Sequence, residues 1–221
     1  MPSGLKLDTL LIHGGGRAPV QRGRPTSDPI VQSTAFAYDT AEALADVFAG
    51  TAPGHVYSRI SNPTVLAFER RVAALEQGLG AQACASGMAA ITAVVMALCA
   101  QDDEIVAAPD LFGGTRSLLD TTLGRFGVRA RFVSMHDLDA VREAIGPRTR
   151  MVFVETISNP KLAVADIAAL AAIANDKGVP LVVDSTVTTP ILVQPVTLFA
   201  SLSNQNSLKL PDRLVKVVVN N

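Results

Sequence analysis

From residue 104 onward, short apolar runs alternate with segments of helical period, and this limits the fold more than any other feature of the chain. Glu104–Ala108, Val128–Val133, Met151–Val154 and Leu181–Val183 read as strands, the last ending at Asp184. Between them Gly114–Phe126, Leu138–Ile145 and Ile167–Asn175 read as helices. A run such as Met151-Val152-Phe153-Val154 has no polar alternation, so both faces of that strand must be covered. Continuous apolar strands separated by helices predict an α/β fold, a mostly parallel sheet with helices on both faces. Ligands of such sheets bind beyond the carboxyl ends of the strands. The segments there are Asp110 to Thr115, Glu155-Thr156 with Asn159-Pro160, and Asp184-Ser185-Thr186.

Upstream, residues 1–50 are rich in breakers, with Gly14-Gly15-Gly16, Pro19, Pro25 and Pro29, and only a short helix is expected, over Ala41–Ala49. Asn62-Pro63-Thr64 opens a second helix, which Gly78 and Gly80 stop. A third runs from Gly87 to Cys99 and is apolar nearly all round, which predicts burial.

Composition excludes several classes. With 19 Lys+Arg against 20 Asp+Glu there is no electrostatic case for nucleic acid or an anionic membrane as partner. No Trp and only 2 Tyr leave little for stacking on single strands. A 48% hydrophobic content argues against disorder, and 18% charge hints at surface covered by another chain. Cys84 and Cys99 sit in apolar stretches and read as buried free thiols in a reducing compartment. Met88 to Ala100 is too short to span a bilayer, and Met1-Pro2-Ser3-Gly4 does not begin a secretory signal. The expectation is a cytoplasmic protein. His13, His55 and His136 have no ligand spacing, so no metal is expected.

Four groups carry chemistry. Ser86-Gly87-Met88 runs into a helix, where unpaired N–H groups can cradle a phosphate; a plain Ser cap is the alternative. Tyr57 and Arg59 offer a phenol and a guanidinium to one phosphate, or form an ordinary solvated loop. Phe112, beside Gly113-Gly114, presents a flat face to a ring or packs in the core. Asp184 can pair with a protonated ring nitrogen or cap the next turn. A phosphate clamp, a stacking face and an acid for a ring nitrogen are the groups that hold pyridoxal phosphate.

With these groups in order, the chain resembles the pyridoxal-phosphate enzymes of cysteine and methionine metabolism, the cystathionine gamma-synthase family, from about Thr9 to about Pro195. The carriers are Tyr57-Ser58-Arg59-Ile60-Ser61-Asn62-Pro63-Thr64, Ser86-Gly87-Met88-Ala89-Ala90, Phe112-Gly113-Gly114-Thr115, Val154 through Leu162, and Val182-Val183-Asp184-Ser185-Thr186 with Thr189-Pro190. The Glu155-to-Leu162 block looks most like O-acetylhomoserine sulfhydrylases. The resemblance implies the large domain of fold-type I enzymes, in incomplete form. It implies that Ser86, Gly87 and Met88 bind the cofactor phosphate, and that Phe112 stacks on the ring where relatives have Tyr. Asp184, with Thr186 beside it, would hold the pyridinium proton; Asn159 would bond the phenolic oxygen, with Glu155 supporting it. Tyr57 and Arg59 would reach a neighbouring subunit's cofactor, making a dimer the smallest complete unit and a tetramer the expected assembly. The implied reaction removes protons from the alpha and beta carbons of an O-acylhomoserine, expels the acyl group and adds sulfide or a thiol at the gamma carbon. Methionine gamma-lyase or cystathionine lyase chemistry is the variant reading. An inactive chain that only pairs with other subunits is the second reading.

The pattern departs from the family after about residue 196. A Ser-Ala-Thr-Lys block carrying the cofactor's lysine is expected, and Lys209 stands at the right spacing from Asp184, but Asn206, Leu208 and Pro211 do not match. A frameshift is one account, because codons for Ser203-Asn204-Gln205, preceded by the bases TC, can spell Ser-Ala-Thr-Lys in the neighbouring frame. The expected organisation is therefore an N-terminal segment 1–55, a partial cofactor domain 56–196 and a divergent tail 197–221, with a C-terminal domain missing. Val215–Val219 reads as an exposed strand.

Overall fold

The computed structural model describes Lys6, Thr9, residues 26–200 and residues 216–217. The chain divides into two compact units, Met1–Ala83 and Cys84–Asn221.

The first unit holds α1 (Ala41–Phe48) and α2 (Pro63–Leu75). Thr40 caps α1 by accepting from Ala43 N. Asn62 caps α2 by accepting from Thr64 N at 2.8 Å, and Pro63 takes the first turn, where its missing N–H costs nothing. The Asn62 amide also donates to Val31 O and to Ser58 Oγ, both at 3.0 Å. One buried side chain thus ties the helix start to the loop before it and to Val31, far back in the sequence.

The second unit begins with α3 (Gly87–Leu98) and alternates β1 (Glu104–Ala107), α4 (Gly113–Ser117), β2 (Arg129–Phe132), α5 (Leu138–Ala144), β3 (Thr149–Glu155), α6 (Ile167–Asp176) and β4 (Leu181–Asp184). Helix α4 runs on as a π turn and a 3-10 turn to Phe126, where Gly127 at φ 83° closes it. Short α7 (Thr189–Leu192), α8 (Pro195–Ala200) and β5 (Lys216–Val217) follow. The strands form one sheet in the order β2-β1-β3-β4-β5, with every pair parallel. Consecutive residues of a strand point to opposite faces. Ile105, Val106 and Ala107 on β1, Met151 to Val154 on β3 and Leu181 to Val183 on β4 are all buried, so both faces of the central strands are covered. Phe153, Leu119, Leu170 and Ile91 are among the largest buried side chains of this core.

The alternation read from sequence is therefore the fold, with two corrections. Helix α3 buries only the stripe Gly87, Ile91 and Val95, while Met96 is 64% exposed. Apolar composition states what a helix can bury, not how many neighbours surround it. Cys84 is exposed rather than buried, and only Cys99 is partly covered. Of the Val215–Val219 run, Lys216–Val217 joins the sheet beside β4, at its edge.

Candidate functional site

The chain leaves β1 to one side to form β2 and returns to the other side to form β3. Connections therefore diverge at the carboxyl ends of β1 and β3, which opens a crevice. A cavity of about 360 Å³ lies there, lined by Ser86, Gly87, Met88, Phe112, Thr115, Glu155, Asn159, Asp184 and Thr186, with Ile91, Ile157 and Val187.

Each wall follows from a local rule. At the start of α3 the Ser86 side chain accepts from Ala89 N at 3.1 Å and its carbonyl accepts from Ala90 N at 3.0 Å. The cap reading of Ser86 thus holds, and it leaves the N–H groups of Gly87 and Met88 without acceptors among the described residues. They are the donors that an anion at this helix start would meet.

Phe112 precedes α4 and is 48% exposed, so it is a cavity wall and not a core residue. The backbone passes close behind its ring: a Cβ on Gly114 would lie 2.8 Å from Phe112 Cε1 and 3.5 Å from Met88 Sδ. Arg116 Cζ lies 3.5 Å over the Phe132 ring, and its Nη1 donates to Pro109 O at 3.0 Å.

Asp184 ends β4 and is nearly buried. Its Oδ1 accepts from Thr186 N at 2.9 Å and from Thr186 Oγ1 at 2.5 Å. The turn-capping alternative is therefore real, but it uses one oxygen; Oδ2 takes no hydrogen bond among the described residues. Glu155, paired in register with Asp184 across β3 and β4, accepts from Phe112 N at 2.8 Å and from Asn159 N at 3.2 Å. Burial pushes the Glu155 carboxyl above its ordinary value and the nearby Asp184 adds to this, while the two N–H bonds oppose it.

The second unit thus brings together Ser86, Gly87, Met88, Phe112, Glu155, Asn159, Asp184 and Thr186 from segments far apart in sequence. Tyr57 and Arg59 lie in the first unit, where Arg59 Cζ is 5.1 Å from the centre of the Tyr57 ring. That loop is held by Ser58 N donating to Thr34 O at 2.8 Å and by a bridge between Ala35 and Tyr57. Lys209 lies outside the described residues.

Sequence reading missed the apolar and hydroxyl lining. Ile91 follows Gly87 by four residues on α3, so helical period places it on the same side. Thr115 and Ile157 fall inside the blocks that carry the resemblance but had no role assigned, and Val187 had no signal. A buried hydroxyl chain behind the site was also unassigned: Thr188 Oγ1 bonds Thr156 Oγ1 at 3.0 Å and Ser185 Oγ at 2.8 Å.

Comparison with known proteins gives the family and the fold. Residues 8–209 match the model of the Cys/Met metabolism PLP-dependent enzyme family, which extends the similarity beyond Pro195 to include Lys209. The O-succinylhomoserine sulfhydrylase of Pseudomonas aeruginosa is 41% identical over 95% of this chain and 51% of its own. The L-methionine gamma-lyase of Pseudomonas putida is 41% identical over 91% of this chain and 50% of its own. The crystal structure of a Campylobacter jejuni protein described as an O-acetylhomoserine (thiol)-lyase, which contains N'-pyridoxyl-lysine-5'-monophosphate, superposes with a TM-score of 0.82 at 35% identity. That match covers 88% of this chain and 47% of the other. The chain spans about half the length of the curated relatives it matches. It belongs to the Cys/Met metabolism PLP-dependent enzyme family.

Proposed function

We propose that the second unit is the cofactor-binding part of an enzyme that replaces the gamma substituent of an O-acylhomoserine by sulfide or a thiol. The observation that supports this best is one cavity containing orphan N–H donors, an exposed aromatic face and an uncommitted carboxylate oxygen. These are the three partners a phosphate, a ring and a ring nitrogen require, so the residues present fit pyridoxal phosphate. When bound, the cofactor supplies an electron sink for carbanions formed on an amino-acid substrate.

In this reading the N–H groups of Gly87 and Met88 bind the phosphate and Phe112 covers one face of the ring. Asp184 Oδ2 holds the ring-nitrogen proton while its Oδ1, fixed by Thr186, sets the carboxylate plane. Asn159 orients the phenolic oxygen. Phe112 has no hydroxyl, so it moves no proton; Lys209 is the candidate for that work and for the covalent bond to the cofactor. Tyr57 and Arg59 serve the cofactor of a second copy, which makes the working unit at least a dimer. The lyase reading, elimination without replacement, has support from the Pseudomonas putida relative at equal identity.

The test is a titration of the purified chain with pyridoxal phosphate, followed in the visible spectrum before and after borohydride. Saturable binding, with fixation mapped by mass spectrometry to Lys209, is expected. Binding without fixation would leave a chain that pairs with other subunits but does not turn over. No binding would refute the cofactor role. Product analysis with O-acetyl- or O-succinylhomoserine and sulfide, against L-methionine alone, separates replacement from elimination.

A further inference from the structure

We propose that Glu155 is a positioning residue for the cavity, holding the Phe112 ring and Asn159 at a set separation by accepting from both of their backbone N–H groups. This rests on the cavity being the cofactor site proposed above. Glu155 is the last residue of β3, 7% exposed, at the point where the connections diverge. Its Oε1 accepts from Phe112 N at 2.8 Å and its Oε2 from Asn159 N at 3.2 Å. Phe112 lies in the loop after β1 and Asn159 in the loop after β3, and both line the cavity. Without a common acceptor, nothing else among the described hydrogen bonds joins the Phe112 and Asn159 backbones.

The arrangement has a chemical requirement. A backbone N–H only donates, so both carboxylate oxygens must accept. A protonated carboxyl keeps one good acceptor, and a glutamine has one and turns an NH₂ toward the other donor. Only the ionised carboxylate satisfies both amides. Yet Glu155 has no salt bridge among the described residues. Asp184, opposite it on β4, is a like charge. A second cleft of about 30 Å³ touches Glu155 and is lined by Asp110 and His136, and Asp110 is already paired with Lys161 at 2.5 Å. A buried charge with no cation against it is held by its hydrogen bonds alone. The Lys161–Asp110 contact joins the same two loops two residues from each position, and the two Glu155 bonds set where the Phe112 and Asn159 backbones themselves lie.

The test uses the ¹⁵N-labelled full chain without added cofactor. As pH falls, the Phe112 and Asn159 amide resonances should move together with one midpoint, above the ordinary glutamate range. The same midpoint should appear in the Glu155 side-chain carboxyl carbon, and neither amide should titrate in Glu155→Gln. In the same chain, Glu155→Gln should bind pyridoxal phosphate about tenfold more weakly than the parent at neutral pH, with the gap closing as pH falls. Amides that titrate separately, that still titrate in the variant, or an unchanged affinity would overturn the proposal. If the variant does not fold, the parent's co-titration decides. Co-titration in a chain that takes no pyridoxal phosphate at any pH would uphold the clamp and refute the cofactor reading instead.

Discussion

Gly114→Ala separates stability from binding at this site. The added Cβ would stand 2.8 Å from Phe112 Cε1 and 3.3 Å from Phe112 Cδ1. Carbon–carbon contact is favourable only from about 3.5 Å, so the ring edge must move by roughly 1 Å. The backbone does not have to move, because Phe112 is half exposed and its ring can swing. Alanine within α4 also favours the helix by up to about 1 kcal/mol over glycine. The melting temperature should therefore stay level or rise by about 2–4 °C. On the proposed reading, a displaced ring would forfeit its stacking on the cofactor, about 0.5–1.5 kcal/mol, which is roughly a two- to tenfold loss of affinity. Gly113→Ala is the control, because nothing lies within 4 Å of its added Cβ. Calorimetry and a pyridoxal-phosphate titration of both variants give the answer. Equal affinities in the two variants would refute the placement of the Phe112 ring as a binding wall, and a marked loss of stability in Gly114→Ala alone would refute the claim that the ring yields.

Other sites give independent checks. Asp184→Asn keeps the acceptor for Thr186 N and should change stability by less than about 1 kcal/mol, while losing the charge-assisted bond to the ring nitrogen, about 1.5–3 kcal/mol of cofactor affinity or roughly 10- to 150-fold; an unchanged titration midpoint counts against that role. Burial, aided by Asp103, pushes the Cys99 thiol up to about 11, so at pH 8 a thiol reagent should label exposed Cys84 in a fast phase and Cys99 slowly; a single phase for both would contradict this. Because the Glu155 pKa is raised on folding, the folded chain keeps a proton the unfolded chain has lost, and stability should fall as pH rises from the ordinary glutamate range through the folded value. Glu155→Gln should remove that slope in melts run against pH. Phe153→Ala, in the fully buried centre of β3, should cost about 3–5 kcal/mol and show as loss of a cooperative melt.

Residue types and their period decide the architecture. Continuous apolar strands at 105–107, 151–154 and 181–183 demand cover on both faces, and the helices between them supply it. The same logic pointed to strand ends, and Phe112, Glu155, Asn159 and Asp184 do converge on one cavity. Local chemistry was also legible: Ser86 and Asn62 are caps because their side chains reach N–H groups two or three residues on.

Tertiary structure decided what depends on who sits next to whom. The residue type and neighbours of Phe112 leave wall and core both open and only the family resemblance favours a wall; its exposure comes from where β1 ends and α4 begins. Helix α3 is apolar nearly all round, yet only the stripe through Ile91 is fully buried and Met96 stands exposed, because neighbours and not composition bury a surface. Glu155 and Asn159 share one motif, four residues apart, but no period or motif reaches Phe112, 43 residues away, so the joint grip on both loops exists only in the fold. The sequence by itself determined a parallel α/β sheet and the family of its site. Only the packed structure decided which oxygens are already engaged, which remain for a ligand, and which side chain holds the walls apart, since hydrogen-bond geometry exists only once distant segments meet.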